Sequence, residues 1–205
     1  MSSTNRSDSR DTHTSDYYVT PIDDIRTFLN VFLANHPEII LSEKSILDPC
    51  AWGNPELILP DGTIVPANPM SYPEALSLYT NNIPTAITND IRPDSPAMYH
   101  TDFLSAWNNP LYDFIITNPP FNLALPIIEK SLDICLPGWY VIMLLRLNFF
   151  GSKARRPFFQ SHMPIETYVH HKRISFAKGA TDSIEYMHCV WKRWENPNYT
   201  KLYII

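Results

Sequence analysis

A strand, a helix and a second strand follow one another in the middle of the chain, and this unit constrains the fold more than any other feature of the sequence. Residues 112–117 and 139–145 are largely apolar runs, and the segment 123–135 between them carries apolar side chains at helical spacing. Short apolar runs are typical of strands that are buried on both faces of a sheet. Two such strands joined by a helix are parallel and connect through a right-handed crossover. The sequence therefore predicts an α/β fold in which a mostly parallel sheet has helices on both faces.

The segments that precede this unit extend the same alternation. We predict a helix whose first residue is Pro21, with Thr20 as its N-cap and acidic residues in its first turn. A strand, a helix and a second strand are then predicted at residues 45–48, 71–79 and 85–89.

Two further segments depart from simple alternation. The proline-containing stretch 57–70, with its Asp-Gly and Asn-Pro pairs, predicts a loop or small hairpin inserted after the first strand. Near the C-terminus, residues 167–175 and 183–192 follow one another without a helix-length spacer. They predict an antiparallel hairpin that closes the sheet.

Length and composition limit the organisation of the chain. A chain of 205 residues holds one sizeable core, so we expect residues 17–205 to form a single domain after a flexible polar tail at residues 1–16. The most apolar run, residues 139–145, is far too short to cross a bilayer, and the first residues lack the apolar core of a signal peptide. Three scattered cysteines without a CxxC pair favour a reducing compartment. These features predict a cytoplasmic protein without membrane contact.

Glycine usage excludes two classes of nucleotide-binding site. The five glycines, at positions 53, 62, 138, 151 and 179, form neither a GxGxxG fingerprint nor a GxxxxGK[ST] phosphate loop. A metal site is not expected either, because His170 and His171 are adjacent in a predicted strand and point to opposite faces of it.

Charge is distributed unevenly along the chain. Residues 1–145 hold 6 Lys/Arg against 17 Asp/Glu, whereas residues 146–205 hold 10 against 4. The basic residues form clusters interleaved with histidine and aromatic side chains, and those predicted to contact a polyanion are Lys153, Arg155, Arg156, Lys172 and Arg173. A solvated surface without a partner would show the same charges, so this prediction needs support from the site chemistry.

Polar residues follow successive predicted strands, where ligands of parallel sheets bind. The segment Asp48-Pro49-Cys50-Ala51-Trp52-Gly53 follows the first strand and Asp90 the second. Asp102-Phe103 comes next, and Asn118-Pro119-Pro120-Phe121 follows the apolar strand at 112–117. In this order the motifs resemble those of the S-adenosylmethionine-dependent methyltransferases that modify the N6 amine of adenine in nucleic acids. The resemblance spans residues 17–192.

This resemblance implies a Rossmann-like methyltransferase fold, S-adenosylmethionine as cofactor and DNA as partner. It assigns cofactor binding to residues of the three strand-end motifs and of an upstream segment, namely Tyr18, Thr20, Asp48, Cys50, Gly53, Asp90, Asp102, Phe103 and Asn118. It assigns catalysis to Asn118, Pro119, Pro120 and Phe121, and places Phe176 beside the target base. A phage or prophage enzyme is the type it resembles most.

The catalytic motif suits transfer to an exocyclic amine. Such an amine is a poor nucleophile until its lone pair is localised, and the side-chain oxygen of Asn118 and the carbonyl of Pro119 can each accept one of its hydrogens. Pro120 stiffens the loop, and Phe121 offers a ring face on which a flipped base can stack, with Phe176 as a second aromatic wall.

Alternatives remain open at this point. The same chemistry fits adenine in RNA, the N4 amine of cytosine or a protein glutamine. The first motif keeps one glycine and has Asn54-Pro55 after it, so an inactive nucleic-acid-binding relative is also consistent with the sequence. Only 84 residues follow Phe121, too few for a separate target-recognition domain. Target choice would then depend on short loops, on a homodimer or on a partner subunit.

Overall fold

The computed structural model describes residues 19–80, 86–108, 111–176 and 184–205. The predicted tail at residues 1–16 and the predicted cofactor residue Tyr18 lie outside these ranges. The helices in the described part are α1 (Ile22–Asn35), α2 (Ser71–Ser77), α3 (Ala124–Ile134) and α4 (Arg156–Ser161). The strands are β1 (Ile46–Asp48), β2 (Leu57–Ile58), β3 (Ile64–Val65), β4 (Ala86–Thr88), β5 (Tyr112–Thr117), β6 (Cys135–Arg146), β7 (Glu166–Val169), β8 (Tyr186–Lys192) and β9 (Lys201–Ile204).

Seven of these strands form one sheet in the order β4-β1-β5-β6-β8-β7-β9. The first four strands in this order, β4, β1, β5 and β6, are parallel to one another. Strand β8 runs antiparallel to both of its neighbours, β6 and β7. The sheet is thus mostly parallel with an antiparallel part near one edge, which confirms the predicted fold class.

Apolar side chains fill both faces of this sheet. On one face, Phe28 and Phe32 of α1 and Leu76 of α2 pack against Phe114 and Ile142 of the sheet. On the other face, Ile127 and Ile128 of α3 and Phe158 of α4 pack in one cluster with side chains of the same strands. The strand residues of this cluster include Ile115 of β5 and Val141 of β6. Alternation along β5 and β6 sends successive side chains to opposite layers, so both strands are buried on both faces.

The structure corrects two details of the sequence prediction. The N-cap of α1 is Pro21, and the helix has no side-chain cap, so the prediction of Thr20 as N-cap is wrong. The predicted antiparallel pair does form as β7 and β8, but β7 ends at Val169 instead of extending to residue 175, and the pair does not close the sheet. Strand β9 pairs in parallel with β7 and forms the edge. Three of its four residues are apolar but mostly exposed, and they follow one another without the apolar–polar alternation of a half-buried strand, which explains why the sequence pattern missed it.

The segment inserted after β1 is a small hairpin. Its strands β2 and β3 pair antiparallel, apart from the main sheet. The stem is clamped by Asn54 and Asn68, whose backbones exchange two hydrogen bonds of 3.0 and 2.9 Å. Their side chains add a third bond of 2.7 Å from Asn68 Nδ2 to Asn54 Oδ1.

The sheet topology indicates where a ligand crevice lies. Strand β1 lies between β4 and β5. From β1 the chain continues to β4 on one side, whereas from β5 it continues to β6 on the other side, so the order of connection reverses at β1. Open parallel sheets bind ligands beyond the carboxyl ends of their strands at such a reversal. The residues that follow β1, β4 and β5 are therefore positioned around a common crevice. No helix in the described ranges is long and apolar enough to span a membrane.

Candidate active site

Asn118 follows β5 directly and is almost completely buried, with 1% of its surface exposed. Its side-chain Nδ2 donates a hydrogen bond of 3.0 Å to Oγ1 of Thr20. Its backbone carbonyl accepts a bond of 2.7 Å from the indole Nε1 of Trp52. Both ends of the residue are fixed, so the direction in which Oδ1 points is set by the fold.

The prolines that follow Asn118 form a tight turn. The carbonyl of Pro120 accepts a hydrogen bond of 2.8 Å from the backbone N–H of Leu123. No described residue donates to the carbonyl of Pro119. Of the three carbonyls from Asn118 to Pro120, the middle one thus accepts no hydrogen bond from a described residue.

Asp48 ends β1 and is fully buried. Its Oδ1 accepts bonds of 2.6 Å from the Thr117 hydroxyl and 3.2 Å from the Cys50 N–H. Its Oδ2 is also buried and has no hydrogen-bond partner among the described residues. Burial, helped by the charge of Asp90, raises the pKa of Asp48 to about 7 although the two hydrogen bonds lower it. The carboxyl can therefore still accept from a further donor.

The turn after Asp48 adopts a left-handed backbone at Trp52 and Gly53, where φ is 55° and 80°. A Cβ at Gly53 would lie 3.1 Å from both the Asn68 carbonyl oxygen and Met70 Cγ. Glycine is thus required here by the inserted hairpin as well as by the turn. Cys50, in the same turn, is half-buried, and burial followed by the charge of Asp48 raises the pKa of its thiol well above the ordinary value.

Asp90 follows β4 and is already engaged within the protein. Its Oδ1 accepts from the backbone N–H of Arg92 at 2.9 Å and from Arg92 Nε at 3.1 Å. Its Oδ2 accepts from Arg92 Nη2 at 3.1 Å and from the Trp52 N–H at 3.0 Å. Arg92 also reaches the Gly53 carbonyl at 2.8 Å. Sequence reasoning missed Arg92, which has no recognisable motif and becomes significant only once β1 and β4 are neighbours.

Asn89 is a second residue that the sequence analysis missed. It is buried, and its Nδ2 lies 3.1 Å from the carbonyls of both Pro49 and Thr101. Its Oδ1 accepts from the backbone and hydroxyl of Thr101. This side chain links the turn after β1 to the segment that contains Asp102.

Asp102 and Phe103 are neighbours in the sequence but differ in solvent exposure. Asp102 is exposed, and hydrogen bonds from the Ser105 hydroxyl and the Leu104 N–H lower the pKa of its carboxyl. Phe103 is buried and packs near Trp107, with ring centroids 6.1 Å apart.

Several of these residues line a cleft of about 540 Å³, including the part open to solvent. Most of its lining is apolar, and the carboxylates of Asp90 and Asp102 contribute its acidic groups. The lining residues are Pro49, Cys50, Trp52, Asn89, Asp90, Ile91, Arg92, Thr101, Asp102, Phe103, Leu104, Pro120, Leu123 and Ile127. The structure therefore brings the three predicted cofactor motifs together at one edge of the sheet, next to the predicted catalytic loop.

The two predicted base-stacking residues also lie near one another. Phe121 and Phe176 both contact the buried ring of Tyr186, at centroid distances of 5.7 and 4.9 Å. The guanidinium carbon of Arg146 lies 4.4 Å from the Phe121 ring centroid. Tyr186 and Arg146 are opposite one another in the β6–β8 pairing, which explains how both reach the same ring.

The predicted nucleic-acid-binding residues follow β6 and β7, whose carboxyl ends lie on the same edge as Asn118. Lys153, Arg156 and Lys172 are exposed. Arg173 is exposed and pairs with Glu185 at 3.3 Å. Arg155 is half-buried, because its Nε donates to the Phe149 carbonyl at 2.6 Å. Within the described ranges, no group of three His, Cys, Asp or Glu side chains is arranged to hold a metal ion.

Comparison with known proteins identifies the fold. No family model matches the sequence, and no curated protein matches it significantly. Among solved structures, a proposed class I S-adenosylmethionine-dependent methyltransferase from Listeria monocytogenes matches with a TM-score of 0.60 at 14% identity. This match covers 91% of our chain and 65% of the Listeria chain. The architecture is the Rossmann-like methyltransferase fold.

Two further structures share this fold. A proposed RNA methyltransferase from Pyrococcus horikoshii has a TM-score of 0.57 at 15% identity, over 86% of both chains. The type IIG restriction endonuclease BpuSI has a TM-score of 0.61 at 13% identity, over 90% of our chain but 27% of its own. The chain thus spans less than two thirds of the Listeria protein and about a quarter of BpuSI.

Proposed function

We propose that this protein transfers a methyl group from S-adenosylmethionine to the exocyclic N6 amine of adenine in DNA, with the target base flipped out of the helix. The observation that carries the proposal is the fixed position of Asn118 and Pro119 in the loop whose next residue, Pro120, lines the cleft. The Asn118 amide is oriented by Thr20, and no described residue occupies the Pro119 carbonyl. Two oriented acceptors side by side are what an amine with two hydrogens requires.

The residues around the cleft fit the cofactor. The buried Oδ2 of Asp48, which has no partner among the described residues, suits the ammonium group of the methionine moiety. Asp102 can accept from the adenine amine, and Phe103 and Pro120 offer apolar surface to the ring. Thr20, Cys50 and Gly53 lie on the methionine side in this arrangement. When bound, S-adenosylmethionine supplies the electrophilic sulfonium methyl group.

Asp90 has a more restricted role than the sequence suggested. Within the described part of the chain, all hydrogen bonds to its carboxylate come from Arg92 and Trp52, so it can accept ribose hydroxyls only if Arg92 moves or shares the carboxylate. We therefore assign Asp90 first to holding the turn that contains Trp52. Ribose binding through Asp90 would then accompany a displacement of Arg92.

In the reaction, Oδ1 of Asn118 and the carbonyl of Pro119 accept one hydrogen each from the amine. This localises the nitrogen lone pair and orients it towards the methyl carbon. The methyl group would come from S-adenosylmethionine, which would leave as S-adenosylhomocysteine, and the amine would lose one proton to solvent. Phe121 holds the base by stacking, and Tyr186 supports Phe121 from within the core.

The organisation of the chain fits the proposed function. We propose that residues 17–205 act as one domain. The exposed basic residues beside the catalytic edge, Lys153, Arg156 and Lys172, would contact phosphates, and Phe176 would complete the base site. A homodimer or partner subunit would add specificity.

RNA adenine is the second candidate acceptor. The proposed RNA methyltransferase from Pyrococcus horikoshii matches over 86% of its own length, whereas BpuSI matches over 27%. The match to the proposed RNA methyltransferase thus extends over most of both chains. The site itself contacts the amine and does not distinguish the sugar.

One experiment tests both acceptors. The protein is incubated with isotopically labelled S-adenosylmethionine and unmethylated DNA or RNA, and the nucleosides are analysed by mass spectrometry. We expect labelled N6-methyladenine from DNA and a loss of at least about 100-fold in Asn118→Ala with cofactor affinity nearly unchanged. Asn198→Ala, an exposed asparagine far from the loop, is the matched control. Label in RNA, in N4-methylcytosine or in neither polymer would overturn the DNA adenine proposal, as would full activity of Asn118→Ala.

A further inference from the structure

A second cleft lies beside the catalytic loop, outside the proposed cofactor site. It encloses about 740 Å³, including its open part, and its lining is Phe121, Asn122, Ala124, Leu145, Arg146, Asn148, Phe149 and Arg155. Two of these side chains are guanidinium groups, two are carboxamides and none is acidic. The cleft shares Phe121 with the proposed base site. Its chemistry is that of an anion site.

Arg146 is the central cation of this cleft. It ends β6, and its guanidinium carbon lies 4.4 Å from the centroid of the Phe121 ring. Its Nε is buried and has no hydrogen-bond partner among the described residues. A buried donor of a charged group without an acceptor is unfavourable, and a ligand oxygen would remove this penalty.

Arg155 forms a fixed wall of the same cleft. Its Nε and Nη2 donate to the carbonyls of Phe149 and Asn148 at 2.6 and 3.4 Å. Its guanidinium carbon also lies 4.4 Å from the Phe149 ring centroid. A guanidinium has five N–H groups, so these two bonds anchor the side chain without using all of its donors. The positive charge is held in place before any ligand arrives.

We propose that this cleft binds a backbone phosphate of the DNA acceptor next to the target nucleotide, with Arg146 as the contacting residue. The proposal rests on the proposed function, since it places the target base on Phe121. A nucleotide stacked on that ring carries its phosphate within a few ångström of the base. The planar fork of an arginine matches phosphate oxygens in a two-point contact. Because Arg146 stacks on Phe121, binding of the phosphate would also position the catalytic loop.

The salt dependence of DNA binding measures this contact without requiring turnover. A fluorescein-labelled, adenine-rich, unmethylated 30-base-pair duplex is titrated with protein between about 50 and 200 mM salt, and anisotropy is recorded. Each phosphate contact adds about 0.9 to the slope of log affinity against log salt. We expect Arg146→Gln to reduce the slope by about that amount and to weaken binding by about tenfold. Arg146→Lys should retain most of the slope.

Lys44→Gln is the control for charge removal. Lys44 precedes β1 at the opposite edge of the sheet, where its Nζ lies 4.4 Å from the Trp139 ring centroid. This variant loses the same charge and should keep the wild-type slope. Equal slopes for Arg146→Gln and Lys44→Gln would overturn the proposal.

A second variant covers the case in which Arg146→Gln does not fold. Asn148 is exposed, so Asn148→Asp adds a negative charge to the cleft without disturbing the core. It should weaken DNA binding by at least about threefold, whereas Asn198→Asp at the opposite edge should not. Unchanged binding of Asn148→Asp would count against the phosphate site.

Two further measurements separate the possible failures. Titrations with RNA of the same sequence and with adenosine monophosphate identify a different ligand, and an effect of Arg146→Gln on either of them but not on DNA would overturn the proposal. Methylation by the wild-type protein is measured in the same preparations. Methylated DNA adenine with an unchanged Arg146→Gln slope would refute the phosphate site alone. A changed slope without methylation would support the phosphate contact and refute the proposed function.

Discussion

The hydroxyl of Thr20 lies 3.0 Å from Nδ2 of Asn118 and accepts its hydrogen bond. The two residues are 98 positions apart, and each has only 1% of its surface exposed. Thr20 precedes α1, and Asn118 begins the proposed catalytic loop after β5. The bond therefore fixes the orientation of the proposed catalytic amide from a different part of the chain.

Replacement of Thr20 tests this positioning. Thr20→Val keeps the shape of the side chain but removes the acceptor, so we expect kcat to fall by about tenfold or more and stability to fall by about 1–2 kcal/mol. Thr20→Ser retains the hydroxyl and should keep most of the activity. Steady-state kinetics and urea denaturation of both variants provide the measurement. A Thr20→Val enzyme whose kcat equals that of Thr20→Ser would show that the hydrogen bond does not position the amide.

Local patterns predicted a large part of the fold. Strand β5 has the bounds that the apolar run indicates, and α3 lies within the predicted helix. Burial of both faces of β5 produces a continuous apolar run, and burial of one face of α3 produces apolar residues at helical spacing. Asn118 could be located for the same reason, because the end of β5 is sharply defined.

Long-range pairing explains what the sequence did not reveal. Arg92 bonds to Asp90, two residues away, but its contact with the Gly53 carbonyl depends on β1 and β4 being neighbours. Tyr186 appears in the sequence as an ordinary alternating residue of β8, and it supports Phe121 only because β6 and β8 pair in this register. Such relationships follow from topology and register, which no short pattern encodes.

Asp48 predicts a specific dependence of stability on pH. Burial raises its pKa from an ordinary value of 3.8 to about 7 in the folded protein. Between these two values the folded state binds one proton that the unfolded state has lost, so this group reduces stability as pH rises from about 4 to about 7. Above about pH 7 its contribution is constant. Asp48→Asn does not ionise and lacks this effect.

The corresponding measurement compares Asp48→Asn with the wild-type protein by urea denaturation at pH 5 and pH 8. We expect the free energy of unfolding of the variant, relative to wild type, to be higher at pH 8 than at pH 5 by about 2 kcal/mol. The variant should also bind S-adenosylmethionine more weakly, by about tenfold. A relative stability that is independent of pH would show that Asp48 titrates normally in the folded protein.

Asp90 and Arg92 should be strongly coupled in their effect on stability. Asp90→Ala leaves the half-buried guanidinium of Arg92 without its carboxylate, and we expect it to destabilise the protein by about 3 kcal/mol. Removal of Arg92 as well should restore part of that loss. A double-mutant cycle measured by urea denaturation is expected to give a coupling of at least about 1 kcal/mol.

The exposed pair Arg173 and Glu185 provides the comparison for this cycle. Their side chains are 53% and 52% exposed, so their coupling should lie below about 0.5 kcal/mol. Equal coupling in the two pairs would mean that Asp90 and Arg92 are effectively solvated, and that Asp90 is available to a ligand without rearrangement of Arg92.

Gly53 and Gly62 form a matched pair for testing how the inserted hairpin is seated. Both have a left-handed backbone, with φ of 80° and 85°. An added Cβ at Gly62 meets nothing within 4 Å, whereas at Gly53 it meets the Asn68 carbonyl oxygen and Met70 Cγ at 3.1 Å. Gly62→Ala should therefore lose about 1 kcal/mol from backbone strain alone, and Gly53→Ala should lose at least about 1 kcal/mol more.

The position of the clash also predicts a local change. In Gly53→Ala the stem between Asn54 and Asn68 must shift, and the displaced turn carries Trp52, whose indole holds the Asn118 carbonyl. We therefore expect Gly53→Ala to expose the hairpin to limited proteolysis and to lower kcat, while Gly62→Ala does neither. Urea denaturation, limited proteolysis and steady-state kinetics of the two variants test whether the seating of the hairpin affects the site. If both variants lost the same stability and activity, contact between the hairpin stem and the first turn would contribute nothing to the site.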